Sequence, residues 1–212
     1  MTCMQGNHNL IKVIIPNFIT FFRVLVLPFV ILLLLKGGYW NIVLAFVLFL
    51  VGSVTDAFDG IVARKLGSTS KFGFVLDPIA DKILVLGTLI TLSFLEYLNI
   101  PLWAVIIIFL RDLMVTILKP ISDKLGFSIP TTFFAKTKTT IQFIGISVIF
   151  LYMIFVSSKV NSNFSFKFLN ETFGLVAYLP FLVILLVTFI TIASGVDYVI
   201  LFIKGLKNRE LK

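Results

Sequence analysis

Residues 39–96 read YWNIVLAFVLFLVGSVTDAFDGIVARKLGSTSKFGFVLDPIADKILVLGTLITLSFLE. Two apolar runs, 39–59 and 74–96, are each long enough to cross a bilayer, which takes roughly 20 mostly apolar residues in an α-helix. Asp56, Asp59, Asp77 and Asp81 stand at the facing ends of those runs. An ionised side chain at mid-bilayer costs at least about 2.5–3.5 kcal/mol, less near a helix end. Four of them gathered at one junction need a compensating charge, so this stretch governs both the fold and the chemistry.

The same apolar texture continues on both sides. The chain is 59% hydrophobic and 13% charged, whereas a soluble domain is about 45–50% apolar and about a quarter charged. The excess needs lipid to cover it, and the expected fold is all-α, a polytopic membrane protein. Apolar runs at 16–35, 39–59, 74–96, 101–119, 139–158 and 174–204 predict six transmembrane helices. Pro180 predicts a kink in the last run, or a start outside the bilayer. The first run carries Arg23 and no small-residue cleavage site follows it, so it reads as a retained helix and not a signal peptide. With no internal repeat or long linker, residues 1–212 are expected to form a single membrane domain.

Eighteen basic and ten acidic residues leave a net charge of +8. In a soluble chain this would suggest nucleic acid; in an apolar one it reports topology and anionic headgroups, and no nucleic-acid partner is expected. With the N-terminus inside, the inner segments hold Lys12, Arg64, Lys65, Lys71, Lys119, Lys124, Lys136, Lys138, Lys204, Lys207, Arg209 and Lys212. The outer segments hold Lys36, Lys159 and Lys167. Positive charge collects on the cytoplasmic side of membrane proteins, so both termini and the junction of runs two and three are placed in the cytoplasm.

Cys3 and His8 are the only residues of their kinds, which removes a disulfide framework, a Ser-His-Asp triad and a His/Cys zinc site. Chemistry falls to carboxylates, Lys, Arg, hydroxyls and bound metal. Asp56 and Asp59 are three apart, and Gly73, Asp77 and Asp81 follow at intervals of four, so each set shares a helix face. Carboxylate oxygens suit Mg2+ or Mn2+. One pair can hold one ion; all four can hold two, with a pyrophosphate between them. Gly60, Ala63 and Gly73 leave room for a nucleotide to approach the backbone, and Arg64 can meet a phosphate. Simpler readings exist for single positions. Asp77-Pro78 suits a helix N-cap with proline at the first helical position, and Asp56 and Asp59 suit a solvated helix end.

Taken whole, Asp56-Ala-Phe-Asp59-Gly60-Ile-Val-Ala63-Arg64, eight residues, then Gly73, Asp77 and Asp81 at four-residue steps, resembles the D-x2-D-G-x2-A-R-x8-G-x3-D-x3-D signature of CDP-alcohol phosphotransferases. Every fixed position is filled. The resemblance implies that Asp56, Asp59 and Asp77 are metal ligands, that Asp81 is a ligand and the general base, and that Gly60, Ala63, Arg64 and Gly73 hold CDP-diacylglycerol. It implies two ions, a homodimer and a bacterial inner (cell) membrane with the active site facing the cytoplasm.

Ile15-Pro16-Asn17-Phe18-Ile19-Thr20-Phe21-Phe22-Arg23 is similar to the I-P-N-x2-T-x2-R segment of the family's phosphatidylglycerophosphate and cardiolipin synthases. It adds Asn17 and Thr20 to the donor site and Arg23 to the acceptor site; a snorkelling arginine is the plainer reading of Arg23. The run from Arg111 to Gln142, with Lys119, Lys136 and Lys138, is similar to the R-[DE]…K-x-K-T-x2-Q segment of the glycerophosphate-using enzymes. That implies an acceptor phosphate held by Arg111, Lys119, Lys136 and Lys138, although the positive-inside bias would also put lysines here. Asp112 replaces the usual glutamate, Lys119 the usual arginine and Ala57-Phe58 the frequent Trp-Leu. The expected acceptor is glycerol 3-phosphate, with phosphatidylglycerol as the alternative and a small transporter as the distant one. From the charge distribution, a reporter fused after Lys212 is expected to read cytoplasmic in a topology assay; an external signal contradicts that orientation.

Overall fold

The computed structural model describes residues 23–66, 73–127, 133–160 and 174–210. Among them all regular structure is helical, with no strand. Helix α1 covers 23–36, α2 Tyr39–Leu66, α3 Gly73–Ser93, α4 Leu102–Lys124, α5 Phe133–Val160, α6 Gly174–Ala177 and α7 Leu179–Glu210; a 3-10 turn, Glu96–Leu98, precedes α4. Within the described residues, Thr137–Ser158 and Leu179–Lys207 are long and apolar enough to cross a membrane. Tyr39–Thr55 and Lys82–Ser93 are shorter apolar stretches.

The helices fall into two compact units that divide between Thr91 and Leu92. In the first, Val26, Val30 and Leu34 on α1, Ile42, Ala45 and Phe49 on α2, and Leu84 and Leu89 on α3 are buried at three-, four- and five-residue steps. Gly37 and Gly38, at φ +63° and +84°, make the turn from α1 to α2, a conformation that favours glycine. In the second unit α4 and α5 each pack on α7. Ile108, Ile146, Ile149, Phe150 and Ile184 are fully buried there.

The outward faces are as apolar as the inward ones. Trp40 is 77% exposed and Phe189 75%, and Leu182, Leu186, Ile192, Val196, Ile200 and Ile203 line the outside of α7. A helix that is apolar all round belongs in lipid or a large core, so the exposed faces are consistent with a membrane protein. Hydroxyls inside these helices bond to their own backbone: Thr88 to the Leu84 carbonyl, Thr91 to Gly87, Thr188 to Ile184 and Thr191 to Val187. Away from water, that is the nearest acceptor for such a group.

Two prolines sit differently from expectation. α3 begins at Gly73, so Pro78 lies inside it, and the reading of Asp77 as an N-cap is set aside. Pro180 lies in the first turn of α7, where its missing N–H has no intrahelical partner to lose. The chain breaks at Tyr178, between α6 and α7. α2 continues to Leu66 and α5 starts at Phe133, so both helices extend past the apolar runs and carry motif residues on regular backbone.

A Cβ added at Gly145 would lie 2.8 Å from Val187 Cγ2 and 3.2 Å from Val183 Cγ1. Valine is short and stiff, so the α5–α7 approach depends on that missing methyl. Gly145→Ala is expected to lower stability by about 1–3 kcal/mol, seen as an earlier thermal unfolding midpoint in detergent; an unchanged midpoint contradicts the packing.

Candidate active site

The aspartate string runs across two helices of the first unit. Asp56, Asp59, Gly60, Ala63 and Arg64 are on the unbroken C-terminal half of α2. Gly73, Asp77 and Asp81 are on the N-terminal half of α3. Because the backbone is helical at all of these positions, the three- and four-residue steps place Asp56 with Asp59, and Asp77 with Asp81, at neighbouring points on one helix face. Their side chains lie outside the described ones. No group of three or more His, Cys, Asp or Glu side chains among the described residues could hold a metal. The donor chemistry of the string, carboxylates alone on regular helix, fits a hard divalent cation.

The basic residues of the second unit have a defined geometry. Arg111 and Asp112 are on α4 and Lys138 on α5. Lys138 Nζ donates to both carboxylate oxygens of Asp112, at 2.6 Å each. Arg111 donates from one terminal nitrogen to Asp112 Oδ1 at 3.1 Å and from the other to Ser194 Oγ on α7. Lys138 is 3% exposed and Asp112 5%. Charge-assisted bonds of this length are the strong ones, and a carboxylate touching two cations offsets their mutual repulsion. Arg111 Nε is buried with no hydrogen-bond partner, and so is Nε2 of Gln142, one helical turn beyond Lys138 and 3% exposed.

The remaining predicted residues are spread more widely. Lys119 is exposed on α4. Lys136 lies on α5 with its side chain outside the described ones. Arg23, at the start of the described part of α1, is 3% exposed; a snorkelling arginine reaches outward to the interface instead. Asn17 and Thr20 lie outside the described residues.

Ser194 is the residue that sequence reasoning missed. A signal was present: Thr188, Thr191, Ser194 and Tyr198 recur at three- and four-residue steps in an otherwise apolar helix, and all four are buried. A polar stripe within a membrane-length helix marks a face that meets protein. What no spacing reveals is that the arginine it meets stands 83 residues earlier.

Residues 13–203 match the family model described as CDP-alcohol phosphatidyltransferase. A Bacillus subtilis protein named CDP-diacylglycerol–glycerol-3-phosphate 3-phosphatidyltransferase is 32% identical over 198 residues, covering 87% of this chain and 92% of the relative. Proteins of the same name from Rickettsia typhi and Escherichia coli are 34% and 31% identical, over 65% and 63% of this chain and 76% and 74% of theirs.

The triad makes an asymmetric prediction. Asp112→Leu removes the carboxylate that both cations touch and is expected to lose about 3–5 kcal/mol. Lys138→Met leaves Asp112 with Arg111 and should lose clearly less. Thermal unfolding in detergent compares them, and equal losses contradict a bridging carboxylate.

Proposed function

The chain belongs to the CDP-alcohol phosphatidyltransferase family, and on that premise we propose that it transfers the phosphatidyl group of CDP-diacylglycerol to sn-glycerol 3-phosphate, giving phosphatidylglycerol phosphate and CMP. The observation that carries this reading is the complete aspartate string laid on the continuous helices α2 and α3. The relatives named for the same reaction support the choice of acceptor.

In this reading Asp56, Asp59, Asp77 and Asp81 hold Mg2+ or Mn2+, two ions with all four ligands in use. The bound cations supply Lewis-acid polarisation of the pyrophosphate. Asp81 takes the proton of the acceptor hydroxyl. The freed oxygen forms a bond to the lipid-side phosphorus as the bond from that phosphorus to the CMP oxygen breaks, and the electron pair leaves with CMP. Arg64 balances the charge that grows on CMP. Asn17, Thr20, Gly60, Ala63 and Gly73 seat CDP-diacylglycerol. Arg23, Arg111, Lys119, Lys136 and Lys138 receive the acceptor's phosphate, which an alcohol without phosphate would not need.

The wider organisation follows the same reading. Residues 1–212 form one membrane domain of six transmembrane helices, with both termini and the site facing the cytoplasm. A homodimer in a bacterial inner membrane is carried over from the family.

The test is CMP release by the purified protein from CDP-diacylglycerol, with glycerol 3-phosphate or phosphatidylglycerol and with Mg2+ or Mn2+. Metal-dependent release with glycerol 3-phosphate is expected, and Asp81→Asn should lower it by about 10²-fold or more, the usual contribution of a general base. Release only with phosphatidylglycerol makes the acceptor a lipid and the enzyme a cardiolipin synthase. Release without metal, or full activity in Asp81→Asn, contradicts the mechanism.

A further inference from the structure

Two cations brought together by α4 and α5 share one carboxylate, and a hydroxyl from α7 holds the far side of the arginine. Arg111 has both terminal nitrogens engaged, one by Asp112 Oδ1 and one by Ser194. Of its five N–H donors, the one on Nε is buried with no hydrogen-bond partner. The Gln142 amide nitrogen is in the same condition on the helix that carries Lys138. A buried donor without an acceptor is unfavourable, and two of them, one on Arg111 itself and one a helical turn from Lys138, suit an anion.

From this geometry we propose that Asp112 and Ser194 are positioning residues for the acceptor's phosphate. They fix Arg111 and Lys138 in place without touching the substrate, and leave Arg111 Nε and the Gln142 amide as the donors that meet it. This rests on the reading that Arg111 and Lys138 serve the acceptor.

Asp112 does two things that no neutral residue can. Its two oxygens set where Lys138 Nζ stands. Its charge also keeps the buried Lys138 and the half-buried Arg111 compatible at close range, where their repulsion is poorly screened. An asparagine keeps the size and loses the charge. A glutamate keeps the charge on a stem one methylene longer. Ser194 carries no charge and anchors only the guanidinium, so its loss is the milder one.

The experiment measures the affinity of the purified, magnesium-loaded protein for inorganic phosphate, together with KM for CDP-diacylglycerol. Wild type is expected to bind phosphate. Asp112→Asn should weaken it about ten-fold or more, as expected for losing a hydrogen bond to a charged group. Asp112→Glu should recover most of that affinity, and Ser194→Ala should weaken it about three-fold, the loss of a single neutral partner. KM for CDP-diacylglycerol should stay within about two-fold in all of them, because the donor depends on a different set of residues. A general structural defect would move both readouts and would not be rescued by glutamate.

Equal phosphate affinity in wild type and Asp112→Asn overturns the proposal, as does a glutamate variant no better than asparagine. Absence of phosphate binding by wild type overturns it too. If Asp112→Asn does not fold, Ser194→Ala decides: unchanged phosphate affinity there overturns the proposal. Asp112-dependent phosphate binding in a protein that releases no CMP with glycerol 3-phosphate upholds the positioning role and removes only the assignment of the acceptor.

Discussion

The compensation of buried charge by one carboxylate, Asp112, governs the second unit of this protein. Lys138 and Arg111 come from different helices and both bond to it, and the shared carboxylate offsets the repulsion between two cations drawn to one place. The same carboxylate therefore sets the local register of α4 against α5. Ser194 extends the arrangement to α7, so a polar cluster of four residues joins three helices whose remaining buried surface is largely aliphatic and aromatic. Packing such as that of Gly145 against Val187 lets the helices come close. It does not choose which residues face each other as sharply as the ion pairs do.

The aspartate string poses the same problem with the opposite sign. Four carboxylates follow one another on α2 and α3, and in the proposed function a divalent cation offsets their like charge. Four of the ten acidic residues lie between Asp56 and Asp81, while the exposed helix faces among the described residues are largely apolar.

Much of this was legible in the sequence because it is local. The helical class follows from the length of the apolar runs, and the aspartate string survives as a sequence pattern because its spacings of three and four are helix spacings. Arg111 and Lys138 stood out for the same reason. Their arrangement did not, since Asp112 and Lys138 are 26 residues apart and no periodicity states which carboxylate a lysine meets. Two helix ends near the motif residues lie beyond the expected bounds for one reason. Apolarity stops where the bilayer stops, but backbone hydrogen bonding continues, so α2 and α5 run past the apolar runs and take Arg64 and Lys136 with them. Pro78 misled as an apparent helix start, because proline tolerates an early position inside a helix as well as the first one.

The most direct measurement of the central claim follows the acceptor's own phosphate into the product. Purified protein is incubated with CDP-diacylglycerol, magnesium and glycerol 3-phosphate radiolabelled in its phosphate, and the lipid phase is extracted. Transfer to glycerol 3-phosphate puts the label in a single lipid species that carries two phosphates. Label confined to the aqueous phase, with CMP appearing only when phosphatidylglycerol is supplied, would contradict it.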